Sequence, residues 1–222
     1  DPVEQNLDWV NQSSLNPARG YTYPAALRSL MRQEPEVIMV GEIRDEETAE
    51  IAINAGMTGH LVISTIHSGS TSGTFARLIN MDIEPFLLAS TIMGVLGVRL
   101  LRTNCMHCAT PYTPEAYALE QLRQFEGEEY LQMLIDQQGF YKGAGCSACS
   151  NTGFSGRGSI NELLVCEEQI REAVMQKRAS REIQGMAVEN GMRTLWESGL
   201  QMVVDRKTTL EETLQKVAAD QV

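Results

Sequence analysis

Two short apolar runs, Val37 to Val40 (VIMV) and Leu61 to Ile66 (LVISTI), are surrounded by segments whose apolar positions follow a helical pattern. Both runs are rich in β-branched residues and are predicted to be buried strands of a parallel sheet. Residues 24–33, PAALRSLMRQ, place Leu27, Leu30 and Met31 on one helical face, with Thr22 and Pro24 as start signals and Pro35 as the stop. Arg28 and Arg32, four apart, share a neighbouring face. After VIMV, the segment GEIRDEETAEIAINAGM predicts a helix capped by Asp45, with Glu46 and Glu47 set against the positive end of its dipole. Strand, acidic loop, helix and strand make a βαβ crossover, so this part of the chain is α/β.

The texture changes near residues 102 and 159. From Thr103 to Gly158 the ends are rich in Cys, Gly, Pro, Ser and Thr around a polar helical hairpin from Pro114 to about Gln138. That composition describes a small module held by something other than an apolar core. The last segment opens with a strand at SINELLV, residues 159–165, and continues as short helices. The final one is predicted to begin at Thr209, with Glu212 completing a capping box and Leu210, Leu214 and Val217 as its apolar stripe. The domains expected are therefore 1–102, 103–158 and 159–222.

Composition narrows the class. At 222 residues, 43% hydrophobic and 21% charged, the chain has the profile of a globular protein. Its apolar uncharged stretch from Pro85 to Val98 is 14 residues, short of the roughly 20 that cross a bilayer. A net charge of −11 leaves no broad basic surface for nucleic acid. The start, DPVEQNLDWV, has neither the positive end nor the apolar centre of a signal peptide and reads as a chain entered in mid-domain. Five cysteines are too few for a disulfide scaffold, and a reducing, cytosolic compartment is expected.

Four of those cysteines form two C-x-x-C pairs, Cys105/Cys108 and Cys146/Cys149, separated by 37 residues. Each spacing lets two thiolates face one tetrahedral ion, so a closed structural zinc site is expected, against redox disulfides as the other reading. His107 reads as a solvated loop residue and Cys166, in ELLVC, as a small core residue. Glu42 follows VIMVG at the carboxyl end of a strand, where open α/β sheets place ligand groups. A carboxylate there can orient a water for attack on a phosphoryl group or help hold magnesium, although alone it reads as a solvated turn residue. His60 and His67 bracket the second strand; seven apart, they span about 23 Å and cannot share one metal. None of the four lysines follows a glycine, so no G-x-x-x-x-G-K-[ST] phosphate loop occurs in these residues.

Over nearly its whole length the sequence resembles the secretion ATPases of type II secretion and type IV pilus assembly. DPVEQ resembles the end of the family's acidic box, which would make Asp1 and Glu4 members of it. LRSLMRQEPEVIMVGEIRDEETAEIA resembles the signature around Walker B, giving Glu42 the role of the Walker B glutamate beside Gly41, Arg44 and Asp45. TGHLVISTIHS resembles the His box, placing His60 and His67 near the nucleotide and the subunit boundary. CMHC and GCSACSNTGFSGRGSINELL resemble the tetracysteine zinc module, and GMRTLWESGLQMVVDRKTTLEE the C-terminal helical signature. Three places depart from the family pattern: Ser68 to Thr71 stands for a T-N-D/T-A-like run, Gly97-Val98 for A-Q, and Arg206 lies where a glycine precedes T-T-x-E-E.

The resemblance implies a partial RecA-like ATPase core with a zinc module and a C-terminal helical subdomain. It implies a parent enzyme that hydrolyses ATP with Mg2+ as a hexamer, peripheral at the cytoplasmic face of the inner membrane, on secretion or pilus platform proteins. Glu42 and Glu4 would be catalytic, and Asp1, Gly41, Arg44, His60 and His67 would serve the nucleotide. Without a phosphate loop, the chain itself is expected to be inactive. The alternative is a zinc-containing interaction module docking on an inner-membrane secretion partner, with the α/β part as scaffold.

Overall fold

A computed structural model of the chain describes Val3 and residues 5–217. In chain order its elements are α1 (Tyr23–Leu30), β1 (Val37–Val40), α2 (Glu46–Met57), β2 (Leu61–Ser64), α3 (Gly73–Ile79), α4 (Pro85–Thr91), β3 (Gly94–Asn104) and β4 (Ala109–Tyr112). Then follow α5 (Ala116–Glu126), α6 (Glu128–Gln137), β5 (Phe140–Gly143), β6 (Phe154–Val165), α7 (Glu168–Met175), α8 (Ser180–Glu189), α9 (Leu195–Val204) and α10 (Leu210–Val217). No helix among the described residues is long and apolar enough to cross a membrane. The chain forms two compact units, Asp1–Val95 with Val165–Ala187, and Leu96–Leu164 with Val188–Val222.

In the first unit β1 and β2 pair in parallel, Val37 opposite Leu61 and Val40 opposite Ser64. The βαβ reading is confirmed, and the start signals act as expected. Asp45 accepts the Thr48 N–H at 2.8 Å, and Thr22 caps α1 with a proline in its first turn. Leu27, Ile38, Val40, Ile51 and Ala55 form the core between the helices and the strands. The expectation of strands buried on both faces is corrected. Ile38 and Val40 are buried, but Val37, Met39, Leu61 and Ile63 are 46–71% exposed. The second strand also stops at Ser64, and beyond it the Thr65 hydroxyl donates to the Gly41 carbonyl at 2.6 Å.

In the second unit β4 and β5 are antiparallel, Ala109 opposite Gly143 and Tyr112 opposite Phe140, and β3 pairs with β6. The α5–α6 hairpin occupies the predicted insert, turning at Gly127 with φ 89°. β6 starts five residues before SINELLV, at Phe154; the glycines of FSGRG hide this strand from a propensity reading. The expectation of a module without a core is corrected. Leu101, Leu122, Leu131, Phe140, Ile160, Trp196, Leu200 and Leu214 belong to one buried cluster, half of it supplied from far along the sequence.

The C-terminal helices show two departures. Thr209 caps α10 through the Glu212 N–H at 3.2 Å, but Glu212 does not return to Thr209. Its carboxylate instead accepts the Arg102 backbone N–H at 3.1 Å and the guanidinium at 2.9 and 2.5 Å. A reciprocal capping box starts α9 instead, from Thr194 and Glu197. Arg206 has φ 61°, the left-handed position that closes α9 through Lys207 N–H to Met202 O at 2.8 Å. A glycine takes that conformation freely; here the guanidinium lies 4.3 Å from the Tyr141 ring centroid, a cation–π contact that offsets part of the left-handed cost.

Only 1% of the Glu212 side chain is exposed. Burial pushes its carboxyl up, but the bonds from the Arg102 side chain and amide outweigh burial and hold it below its ordinary 4.5. A carboxyl lowered on folding contributes stability above its ordinary value and loses it as pH falls through the folded value. Glu212→Gln should cost about 2–3 kcal/mol at neutral pH, less than a fully buried pair because Arg102 is half exposed. The same variant should flatten the acid limb of a denaturation-versus-pH profile below 4.5.

Candidate functional site

The parallel pairing sets the first site. In parallel strands both carboxyl ends face the same way, so the loop after β1 meets the loop after β2. Ile43 N–H donates to Thr65 O at 2.9 Å, and the Thr65 hydroxyl closes on Gly41. Glu42 is thereby 7% exposed, which corrects the reading of it as a solvated turn residue. Arg44 Nη2 lies 2.6 Å from its Oε2 and His67 Nε2 3.2 Å from its Oε1. The hydrogen bond from Arg44 lowers the Glu42 pKa; burial opposes this, while the charges of Arg44, His67 and Arg77 reinforce it. An ionised carboxylate is acceptor-only, suited to orienting a water.

Gly41, Glu42, Arg44 and His67 are therefore brought together. His60 is not: at the other end of β2, its Nδ1 lies 3.1 Å from the Ala55 carbonyl and 3.0 Å from the Thr58 hydroxyl, at the end of α2. The two histidines sit apart, as their spacing in a strand requires. Asp1 and Glu4 lie outside the described residues. Sequence reasoning missed two residues that shape this end. Thr65 reads as one more strand position, yet it pins Gly41. Tyr23 reads as a helix start, yet a Cβ built on Gly41 would lie 2.9 Å from its hydroxyl. In the loop that departs from the family pattern, the Ser70 hydroxyl accepts the Gly73 N–H at 3.0 Å.

The second site is the cysteine cluster. Cys105, Cys108, Cys146 and Cys149 carry free thiols, and their Sγ atoms all lie within 4.8 Å of one another, a group able to hold a metal ion. The separations are 3.9 Å for Cys105–Cys146, 3.9 Å for Cys108–Cys149 and 3.8 Å for Cys146–Cys149. Four sulfurs about 2.3 Å from one tetrahedral ion stand about 3.8 Å apart, so the cluster has the size such an ion requires. Gly145 N–H donates to Cys108 Sγ, and Cys146 and Gly153 N–H to Cys149 Sγ, at 3.2–3.3 Å. Burial raises the Cys149 thiol, but those two amides and the hydrogen bonds with the Cys146 and Cys108 thiols bring it down to about 6, while burial pushes the neighbouring Cys108 thiol up to about 12. The turns approach so closely that a Cβ on Gly143 would sit 1.9 Å from Gly153 O. Neither His107 nor Cys166 belongs to the cluster among the described residues.

These features define an α/β fold with a paired carboxylate off a parallel strand and a tetracysteine cluster. The profile of the family described as type II/IV secretion system protein matches residues 1–215, and the chain belongs to that family. It is 44% identical over 214 residues to the type IV pilus assembly ATPase PilB of Thermus thermophilus, covering 96% of this chain and 23% of that protein. It is 40% identical over 214 residues to the type II secretion system protein HxcR of Pseudomonas aeruginosa, covering 96% and 40%. The X-ray structure of the Yersinia pseudotuberculosis ATPase DotB superposes with a TM-score of 0.65 at 18% identity, covering 98% and 47%. That of the pilus retraction motor PilT with bound ADP gives 0.57 at 22%, covering 87% and 43%. The chain thus spans less than half the length of these relatives.

Gly41→Ala should lower stability by about 1–2 kcal/mol, because the new methyl meets the Tyr23 hydroxyl. Adding Tyr23→Phe should restore part of that loss in thermal melts.

Proposed function

We propose that this chain is the C-terminal part of a motor ATPase that couples ATP hydrolysis to assembly of a pilus or pseudopilus. The observation that carries the reading is Glu42, buried at the carboxyl end of β1 and held ionised beside Arg44 and His67. In this reading Glu42 orients the attacking water, with Glu4 as a second catalytic carboxylate. Asp1, Gly41, His60 and His67 serve the nucleotide and its Mg2+, and Arg44 serves the site through Glu42. Residues 1–102 supply part of a RecA-like core, 103–158 a zinc module and 159–222 the C-terminal helices. The working form is a hexamer, peripheral at the cytoplasmic side of the inner membrane and seated on platform proteins.

Two further observations support it. A two-stranded parallel sheet with an open apolar face, here Val37, Met39, Leu61 and Ile63, is stable only as part of a larger, covered sheet. The longer relatives have the chain to supply one. Zinc is the ion proposed for the four cysteines, because four thiolates in a closed tetrahedral set are its structural ligands; bound there, it would cross-link the two turns.

Isothermal titration calorimetry of residues 1–222 with MgATP should show no micromolar binding, since no G-x-x-x-x-G-K-[ST] phosphate loop occurs in them. A longer protein with its upstream segment should hydrolyse ATP, and Glu42→Gln should lower its kcat at least about 100-fold. Stoichiometric ATP binding by the short chain would defeat the first expectation; unchanged turnover in Glu42→Gln would defeat the second. Elemental analysis should find one zinc per chain with four thiols protected until a chelator is added. Cys146→Ser should lose that metal and lower the melting temperature without abolishing the fold, because the second unit keeps its own apolar core.

A further inference from the structure

We propose that Arg44 is a positioning residue: it holds the Glu42 carboxylate in the orientation that presents its other oxygen to water, and does not itself contact the nucleotide. The inference rests on the reading of Glu42 given above. It comes from how each oxygen of that carboxylate is used. Glu42 is too buried to be solvated on both oxygens, so protein donors must fix its rotamer. Arg44 takes Oε2 at 2.6 Å, a short charge-assisted bond, while among the described residues Oε1 has the longer 3.2 Å contact with His67. Oε1 therefore keeps lone-pair capacity for a water, and Oε2 is the anchored end.

The backbone that carries the anchor is tied on both sides. The loop between β1 and α2 is tied at Gly41 and Ile43 to Thr65 and at Asp45 to the first turn of α2, so Arg44 projects from a short, fixed segment. The charged groups facing Glu42 are Arg44 from its own loop, His67 from the loop after β2 and Arg77 from α3. Arg44 Nη2 is taken up by Oε2, so swinging the guanidinium onto a phosphate would release the carboxylate it anchors. Misplacing a reacting group by about 1 Å costs about 100-fold in rate.

The test has two arms. In the longer protein, Arg44→Gln should lower kcat about 10- to 100-fold with KM for ATP within about twofold, and Arg44→Lys should recover part of kcat. A KM raised about tenfold with kcat kept would make Arg44 a nucleotide ligand and overturn the proposal, as would unchanged kcat and KM. In residues 1–222, a melting-temperature cycle of Arg44→Gln and Glu42→Gln should be non-additive by about 2 °C or more; additivity would overturn the contact itself. If the unaltered longer protein fails to hydrolyse ATP, the reading of the site falls and this catalytic role with it, whereas a non-additive cycle would still establish the pair.

Discussion

The parallel pairing of β1 with β2 is the constraint on which the first unit depends. Four ladder positions, Val37 to Val40 against Leu61 to Ser64, decide that the loops after both strands emerge on one side. An antiparallel pair of the same sequences would send Glu42 and His67 to opposite ends. Everything local then follows from closing those loops. Thr65 leaves the strand to bond Gly41, Asp45 ends the loop by starting α2, and Glu42 is left buried with cationic or N–H partners on both oxygens. The burial that would ordinarily neutralise a carboxylate is overcome by Arg44.

The second unit solves a different problem. Its cysteine turns carry little apolar surface, but β3, β5, β6 and the helices around them carry a continuous buried cluster. The core is the source of stability seen here; the sulfurs form a group able to hold a metal ion. The backbone contact between Gly143 and Gly153 sets how near the turns come, so the sulfur geometry depends on two residues that carry no side chain. The buried Glu212 bridges α10 to Arg102 on β3, a buried carboxylate whose two oxygens are both satisfied.

What was legible in the sequence was local chemistry. Asp45 as a cap, VIMV and LVIS as strands, the α5–α6 hairpin and the two C-x-x-C turns all depend on residues close together in the chain. What was hidden depends on partners far away. The Glu212 carboxylate looked committed to Thr209 because its competitor, Arg102, is 110 residues distant. The cysteine-bearing unit looked coreless because Trp196, Leu200 and Leu214 come from beyond it. FSGRG looked like a loop because glycine is disfavoured in strands. Glu42 is the instructive case: by spacing alone it reads as a solvated acid, and only its motif suggested otherwise. Its burial and its contacts with Arg44 and His67 could not be read from any window of sequence. Arg206 shows the converse, a departure from the family pattern that became intelligible once its left-handed φ was known.

The central claim is that the carboxyl end of β1 and β2 faces the phosphates of a nucleotide. The most direct measurement is a structure of the longer protein with Mg2+ and a non-hydrolysable ATP analogue. The account predicts the γ-phosphate off the end of β1, with a water in hydrogen-bond reach of Glu42 Oε1 and Arg44 still on Oε2. A nucleotide bound elsewhere, with Glu42 remote from every phosphate, would contradict it.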